Sequence, residues 1–345
     1  MKTLSLLGTE LPIIQAPMAG VQSSGLALAV TAAGGLGSLP AAMLAPQALQ
    51  AEMTRLFAGG RKPVNVNFFC HQPPAVERER EARWVQALQS YYDGFGLIAP
   101  AVGAAAARQP FSDLHADVIE PYAPPIVSFH FGLPSDGLMR RVRSWGARIL
   151  SSATTVAEAR WLEDRGVDAI IAQGLEAGGH RGHFLSDDLS LQSGTFALLP
   201  QVVAAVNVPV IAAGGIADAH GVRAALALGA SAVQVGTAYL LCPQAETSAV
   251  HRAALQSPAA SHTDLTNVFS GRPARGIVNR AMRELGPMSR VAPAFPLAAN
   301  AMAPLRKHAE ATGSGDFTPM WAGQNASGCR EIPAGELTRE LVRLL

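Results

Sequence analysis

Short apolar segments recur along the chain, and most are followed by a glycine or proline and then by a helical pattern. Such segments predict buried strands, and their alternation with helices predicts parallel βαβ units. Eight strands are predicted, at residues 13–17, 36–39, 64–69, 126–129, 149–152, 169–172, 208–212 and 232–235. Eight units in one chain favour an α/β fold of the closed (β/α)8 TIM barrel type. An open doubly wound sheet is the alternative, but no GxGxxG pattern follows the first strand.

Helices that connect the strands are predicted at residues 25–33, 46–57, 136–145, 156–165, 195–206 and 218–228. Two regions fall outside this repeat of strands and helices. The excursion at 71–120 contains a charged helical stretch at 77–89, and residues 271–345 are rich in proline and glycine with short helices. We therefore predict a barrel domain at 1–270 and a C-terminal cap at 271–345. Together with the excursion, the cap is expected to form a mostly helical subdomain that covers the substrate at one mouth of the barrel.

Charge and length limit the function classes. The 345 residues include 27 Lys and Arg against 26 Asp and Glu, so no basic surface argues for a nucleic-acid partner. Residues 11–51 lack charge but are interrupted by prolines and glycines, and no run reaches the roughly 18 apolar residues of a membrane span. The N-terminus lacks a secretory pattern, and the three cysteines lack a disulfide or zinc spacing. We expect a soluble, cytoplasmic enzyme, monomeric or homodimeric, with no membrane partner.

A glycine-rich loop with a histidine follows the sixth predicted strand. Gly178 and Gly179 remove side chains so that backbone can approach a ligand, and His180 comes directly after them. Imidazole is the side chain best suited to proton transfer near neutral pH, so His180 is the candidate catalytic residue. His183 completes an HxxH spacing, but no third ligand stands at a convincing distance and no metal is expected. Glu176 and the histidines at 71, 115, 220, 251, 262 and 308 are interpreted as solvated or surface residues.

Two further glycine signals follow the seventh and eighth predicted strands. Gly214 and Gly215 end one strand, and the run Gln234, Val235, Gly236 and Thr237 ends the next. Loops at these positions of a barrel often bind a phosphate through backbone N–H groups, and Thr237 adds a hydroxyl donor. Ordinary tight turns are the alternative interpretation.

A phosphate anchor beside an apolar pocket favours a phosphorylated cofactor. No Walker lysine or dinucleotide fingerprint is present, so flavin mononucleotide (FMN) is the favoured candidate. Its ring needs polar partners, and Gln15, Asn67 and Gln173 stand at or near the ends of the first, third and sixth strands.

Motifs along nearly the whole chain resemble the class I nitronate monooxygenases, formerly grouped as 2-nitropropane dioxygenases, which are FMN-dependent barrel enzymes. The resemblance rests on the motifs PIIQAPMAG (12–20), VNVNFF (64–69), SFHFG (128–132), the His180 loop, AAGGI (212–216), QVGT (234–237), FSGRPARG (269–276) and MWAGQ (320–324).

This resemblance implies roles for individual residues. It places FMN contacts at Asn67, Gln173, Gly178, Gly215 and 234–237. Met18 is expected near the flavin, His180 matches the catalytic histidine of the family, and His130 is expected to shape the substrate site. Phe295 is also expected at the substrate site. Relatives often carry tyrosines and a lysine facing the pocket where this chain has Phe295, Ala299 and Ala303, which predicts a preference for more apolar nitronates than propionate 3-nitronate.

The implied reaction is oxidation of an alkyl nitronate or nitroalkane by O2 to a carbonyl compound and nitrite, without NAD(P)H. A neutral nitroalkane must first lose its α-proton, and His180 is the expected base. The alternative is an NAD(P)H-dependent FMN enzyme of the same fold, a quinone reductase or an enoyl reductase. A noncatalytic flavin- or phosphate-binding protein is a further alternative.

Overall fold

The computed structural model describes residues 2–75, 77–103 and 108–345. The strands are β1 (Ile13–Gln15), β2 (Gly37–Pro40), β3 (Val64–Phe69), β4 (Ile126–His130), β5 (Arg148–Ala153), β6 (Ala169–Gln173), β7 (Gly179–His180), β8 (Val210–Ala213), β9 (Ala232–Val235), β10 (Thr263–Thr266) and β11 (Ala274–Ile277). The helices are α1 (Lys2–Leu7), α2 (Ser24–Ala32), α3 (Pro46–Phe57), α4 (Arg78–Phe95), α5 (Asp113–Ile119), α6 (Asp136–Ser144), α7 (Val156–Asp164), α8 (Thr195–Ala205), α9 (Ala219–Ala227), α10 (Ala249–Leu255), α11 (Arg280–Glu284), α12 (Ala298–Ala311) and α13 (Ala334–Glu340).

Eight parallel strands form the barrel, in the order β1-β9-β8-β6-β5-β4-β3-β2. The ring closes between β1 and β2, where Ile14 and Leu36 form a parallel bridge and Gln15 N donates to Leu36 O at 2.9 Å. The (β/α)8 TIM barrel expected from the alternation of apolar runs and helical patterns is therefore confirmed. Strand ends differ from the predicted ones by at most two residues, and β3 and β9 match them.

The two faces of each strand pack into different cores, as the period of two in a strand requires. Ile13 and Ile170 belong to the large cluster between the barrel and its helices. Their neighbours Ile14 and Ile171 belong to a smaller cluster with other strand residues and Leu7 of α1, which fills the barrel interior. Nearly continuous apolar strands are the expected result when both faces are buried.

A helical layer covers part of the barrel mouth. The charged stretch predicted at 77–89 forms the longer helix α4, which packs on α12 through a cluster that includes Trp84 and Leu305. Trp84 Nε1 donates to Ala298 O at 3.2 Å, so the excursion and the C-terminal region form one layer. The boundary at residue 270 stays a prediction. Beyond it, Ala334 and Leu337 of α13 belong to the barrel's own cluster.

A second, three-stranded sheet has the order β10-β11-β7. Its strand β7 consists of Gly179 and His180, and His180 pairs with Ala274 of β11. The histidine loop is therefore fixed by main-chain pairing to a segment almost a hundred residues later in the chain. Among the described residues, no helix has the length and hydropathy needed to cross a membrane.

Candidate active site

A solvent-open cleft lies at the carboxyl ends of the barrel strands. Most of the residues that the sequence singles out line it: Met18, Asn67, His130, Gln173, Gly178, His180, Gly214, Gly215, Gln234, Gly236 and Thr237. Catalysis in TIM barrels takes place at this end, because the βα loops there are free to vary while the strands hold them in place. The grouping of these residues makes the cleft the candidate active site.

Gln15 and Val235 depart from the expectation that they face a cofactor. The Gln15 amide is fully buried and is used by the scaffold: its Nε2 donates to Gln22 Oε1 at 2.7 Å, and its Oε1 accepts from Ser38 N at 3.0 Å. Val235 packs into the core between barrel and helices. Adjacent residues of a strand point to opposite faces, so Gln234 lines the cleft and Val235 is directed away from it.

The loops after β8 and β9 form the glycine-lined end of the cleft. Gly214 and Gly215 have φ angles of +119° and +72°, which favour glycine because any Cβ is strained there. A Cβ on Gly214 would also lie 2.9 Å from Thr195 Oγ1. At the same end, Oε1 of Gln234 is buried and has no hydrogen-bond partner among the described residues. An unpaired buried acceptor at a cleft is available to a donor from a ligand or from an ordered water.

The C-terminal segment around Trp321 crosses these loops and connects them. Gly323 N donates to Thr237 Oγ1 at 2.9 Å, and Gln324 N donates to Glu176 O at 2.9 Å. Asn325 Nδ2 donates to Gly215 O at 3.0 Å. The MWAGQ motif therefore ties together the loops after β6, β8 and β9.

Glycine is required at position 178 for a structural reason that the sequence does not reveal. A Cβ there would lie 2.6 Å from both Ala322 C and Gly323 N. A Cβ on Gly323 would likewise lie 2.6 Å from Glu176 O. Two glycines face each other where two main chains cross, which allows the closer approach that side chains would prevent.

Glu176 is not a solvated acid, in contrast to its interpretation from sequence. Its carboxylate accepts from Thr195 N at 2.7 Å and from Thr195 Oγ1 at 3.0 Å at the start of α8. A carboxylate at a helix N-terminus satisfies free N–H groups and interacts favourably with the helix dipole. Glu176 therefore fixes the loop that carries Gly178 and His180.

The main chain of His180 is held from two sides. Gln173 Nε2 donates to His180 O at 3.0 Å, and His130 Nε2 lies 3.2 Å from the same oxygen. Gln173 Oε1 also accepts from Gly182 N at 2.8 Å, while His130 Nδ1 lies 3.0 Å from Ser152 Oγ. Gln173 and His130 therefore line the cleft and also position the histidine loop.

Nε2 of the His180 imidazole contacts a side chain, and the described residues form no hydrogen bond with Nδ1. Nε2 lies 2.8 Å from Ser270 Oγ, and Ser270 Oγ lies 3.3 Å from Arg272 O. A serine hydroxyl has a single hydrogen, so the role of Nε2 depends on the imidazole tautomer. In the tautomer with the proton on Nε2, the serine hydrogen goes to Arg272 O and Nδ1 keeps the free lone pair that a general base requires.

Burial is the main cause that lowers the pKa of His180 well below its ordinary value of 6.5, followed by the positive charge of Arg108. Burial also lowers the pKa of His130 to about 3 and that of His71 to about 4. All three imidazoles are therefore neutral at pH 7.

Two histidines interpreted as surface residues are buried instead, and one of them lines the cleft. His71 is 6% exposed, and its ring centre lies 4.8 Å from that of Phe295. His251 of α10 is 3% exposed and lines the cleft. His71 follows β3 by two residues, so the same strand-end argument used for His180 would have found it. The sequence offers no comparable signal for His251, because a helix outside the repeat carries it.

Aromatic rings enclose the His180 side chain. The ring centres of Phe295, Phe131 and Phe69 lie 5.3, 6.1 and 6.3 Å from that of His180. Trp321 lies at 5.5 Å. Phe295 therefore lies beside the candidate base, but unlike the other expected substrate-site residue, His130, it does not line the cleft, and its role at the substrate stays a prediction. Sequence reasoning missed two arginines that line the same cleft, Arg108 and Arg306.

Fold and cleft together define a (β/α)8-barrel enzyme with its active site at the carboxyl ends of the strands. The family model for nitronate monooxygenase matches residues 2–343. A nitronate monooxygenase of Pseudomonas aeruginosa is 43% identical, and the match covers 99% of this chain and 97% of that protein. The chain belongs to the nitronate monooxygenase family, a group of flavin-dependent oxidoreductases.

Solved structures agree with this assignment. Nitroalkane oxidase from Streptomyces ansochromogenes has a TM-score of 0.90 and 39% identity, and the match covers 99% of this chain and 96% of that chain. FabK from Thermotoga maritima is also similar, with a TM-score of 0.74 and 27% identity over 99% of this chain and 94% of that chain.

Proposed function

We propose that the protein oxidises alkyl nitronates with O2, using FMN, to a carbonyl compound and nitrite, and needs no NAD(P)H. The observation that carries this proposal is the pairing, in one cleft, of a neutral buried imidazole with a glycine-lined end. The first suits proton transfer from carbon and the second suits an anionic phosphate. Membership of the nitronate monooxygenase family supports the substrate class.

The residues at the glycine-lined end fit FMN. Gly214, Gly215 and Gly236 leave room for a phosphate against main chain, and Thr237 adds a hydroxyl. Gln234 Oε1, buried and unpaired among the described residues, suits an N–H of the flavin ring. When bound, FMN supplies an acceptor for the electrons of the nitronate and a donor for O2.

The chain's own residues handle the proton and the substrate. With a neutral nitroalkane, Nδ1 of His180 removes the proton on the carbon that bears the nitro group, which leaves a nitronate. With a preformed nitronate, the same imidazole orients the anion. The rings of Phe69, Phe131 and Phe295 exclude water around this step.

Oxygen-electrode kinetics on the FMN-loaded protein test this function. We expect O2 consumption and nitrite release with ethylnitronate or propionate 3-nitronate, and no O2 consumption with NADH alone. The control is anaerobic mixing with NADH or NADPH. Bleaching of the flavin at a catalytically useful rate would instead identify a reductase, and absence of O2 uptake with every nitronate would identify a noncatalytic binding protein.

The lowered pKa of His180 predicts an unusual pH profile. A base acts in its deprotonated form, so lowering its pKa extends activity to lower pH. We expect kcat/KM for unionised nitroethane to stay level from about pH 8 to below about pH 6.5, the ordinary histidine pKa. Initial rates of O2 uptake across this range measure it. A loss of half the rate near pH 6.5 would show that the base titrates as an exposed histidine.

A further inference from the structure

The turn between β1 and α2 forms one wall of the cleft. All of its residues from 16 to 21 line the cleft. A Cβ on Gly236 would lie 3.3 Å from Ala16 Cβ and 3.7 Å from Met18 Sδ, so the turn meets the glycine-lined end at the loop after β9. The placement of this turn therefore sets the width of the cleft where the proposed function places FMN.

Side-chain amides help to close the barrel beside this turn. Main-chain bonds join β1 to the residue before β2: Leu36 N donates to Ile13 O at 2.8 Å, and Gln15 N donates to Leu36 O at 2.9 Å. Two residues further along, the partners are side chains. Ser38 N donates to Gln15 Oε1 at 3.0 Å, and Gln22 Nε2 donates to Ser38 O at 2.6 Å. Two glutamines therefore join β1 and β2 near the carboxyl ends of these strands.

Gln22 also bonds to the turn. Gln22 is 8% exposed, and its Oε1 accepts from Met18 N at 2.9 Å and from Gln15 Nε2 at 2.7 Å. Met18 N can only donate and Ser38 O can only accept, so these two partners fix which end of the amide carries the oxygen. Within the turn, Val21 N donates to Met18 O at 3.3 Å, which is longer than the usual range. Gln22 therefore links the turn to β2 through one amide group.

We propose that Gln22 is a positioning residue that holds the Met18 turn in place as the wall of the flavin site. This inference rests on the proposed function and adds to it a residue that acts from behind the wall, because Gln22 is not among the described residues that line the cleft. The same arrangement accounts for Gln15, which was expected to face the cofactor. Gln15 and Gln22 bond to each other and form a layer behind the turn.

Removal of the amide tests this role. Gln22→Leu keeps a side chain of similar size and loses the bonds to Met18 N and Ser38 O. We expect the Kd for FMN to rise about tenfold, because part of the cost of those lost bonds falls on the flavin site. Quenching of FMN fluorescence on binding measures the Kd. Gln201→Leu is the matched control, because Gln201 is exposed on α8, and its Kd should equal that of wild type.

Gln22→Glu gives the role a pH signature. A protonated carboxyl group can donate to Ser38 O as the amide does, whereas a carboxylate has no hydrogen to donate. Burial beside a carbonyl oxygen favours the protonated form of the new side chain. The ratio of the Kd of Gln22→Glu to that of wild type should therefore fall as the pH is lowered from about 8 to about 5. The same ratio for Gln22→Leu should stay level, since leucine does not titrate.

Methyl NMR of the methionines separates this inference from the proposed function, because it reports on the turn whether or not flavin binds. Met18→Leu identifies the Met18 signal, which we expect to shift in Gln22→Leu and to stay in place in Gln201→Leu. If wild type does not bind FMN while the Met18 signal shifts in Gln22→Leu, the proposed function fails and the hold of Gln22 on the turn stands.

Other results would overturn the role of Gln22 and leave the proposed function standing. With FMN bound by wild type, either an unchanged Kd or an unshifted Met18 signal in Gln22→Leu would show that the turn keeps its place without the amide. If Gln22→Leu does not fold, Gln22→Glu decides: a Kd ratio that falls at low pH supports the role, and a ratio that does not vary with pH overturns it.

Discussion

Replacement of His180 by Asn is expected to lower the turnover of neutral nitroalkanes by about 100- to 1,000-fold, the usual contribution of a general base. Asparagine has two heavy atoms fewer than histidine but keeps a planar polar end, so the rings of Phe295 and Phe131 should stay in place. It has no lone pair basic enough to take a proton from carbon. Preformed nitronates bypass that step, and we expect their turnover to fall by less than about tenfold.

The measurement is O2 uptake with nitroethane and with ethylnitronate on the same FMN-loaded preparation. His220→Asn is the matched control, because His220 is exposed at the start of α9. Its kinetics with both substrates should equal those of wild type. Nitroethane turnover at the wild-type rate in His180→Asn would eliminate His180 as the base, and equal losses on both substrates would indicate a positioning role.

The barrel was predictable from sequence because its signal is local. Most barrel strands contain a short apolar run that is buried on two faces, so the run itself carries the information. Strand ends were also informative: the carboxyl ends of parallel strands meet at one rim, which brings together Asn67, Gln173 and Gln234.

Side-chain direction and distant contacts limited the prediction of the site. Gln15 stands at a strand end like Gln173, but its amide bonds to Gln22 and Ser38, a pairing that depends on the register between strands. Arg108 and Arg306 reach the cleft from the excursion and from α12, whose packing is set by nonlocal contacts. Position in the sequence cannot place such side chains.

Gly178 shows that glycine at one position can have a second cause besides the predicted one. The resemblance placed it against the flavin. In the structure it lines the cleft, and its missing Cβ also makes room for Ala322 and Gly323 of the C-terminal segment. The segment that crosses there is more than a hundred residues away in sequence, so the requirement for glycine is a tertiary one.

The second large effect, a loss of stability, is expected on replacement of Arg181, because Arg181 is a fully buried charge at the centre of the histidine loop. It is 0% exposed, and burial lowers its pKa to about 10, which leaves it charged at neutral pH. Its guanidinium donates to Gln192 Oε1 at 2.8 Å, Gly174 O at 2.8 Å and Gln173 O at 2.9 Å. These bonds connect β6, the start of the loop and the segment before α8.

Arg181→Met is expected to destabilise the protein by about 3–5 kcal/mol. Methionine fills part of the volume but removes the arginine donors of three oxygens; Gly174 O keeps a bond from Ala177 N at 3.1 Å, and each buried oxygen left without a donor costs about 1–3 kcal/mol. The free energy of unfolding from urea denaturation measures the effect. Arg181→Lys should fall between wild type and Arg181→Met, since an ammonium group keeps the charge but does not reach three separate acceptors in the plane of a guanidinium.

Arg283→Met provides the matched control, because Arg283 is exposed on α11 and the same substitution there should stay within about 0.5 kcal/mol of wild type. If Arg181→Met matched that control, the loop would be held by the Gln173 and Glu176 contacts alone. If Arg181→Met unfolds at a lower urea concentration than wild type, as expected, then Arg181, the immediate neighbour of His180 in sequence, holds His180 in place beside Phe295. That neighbour anchors the loop on the barrel while the β7–β11 pairing fixes its direction.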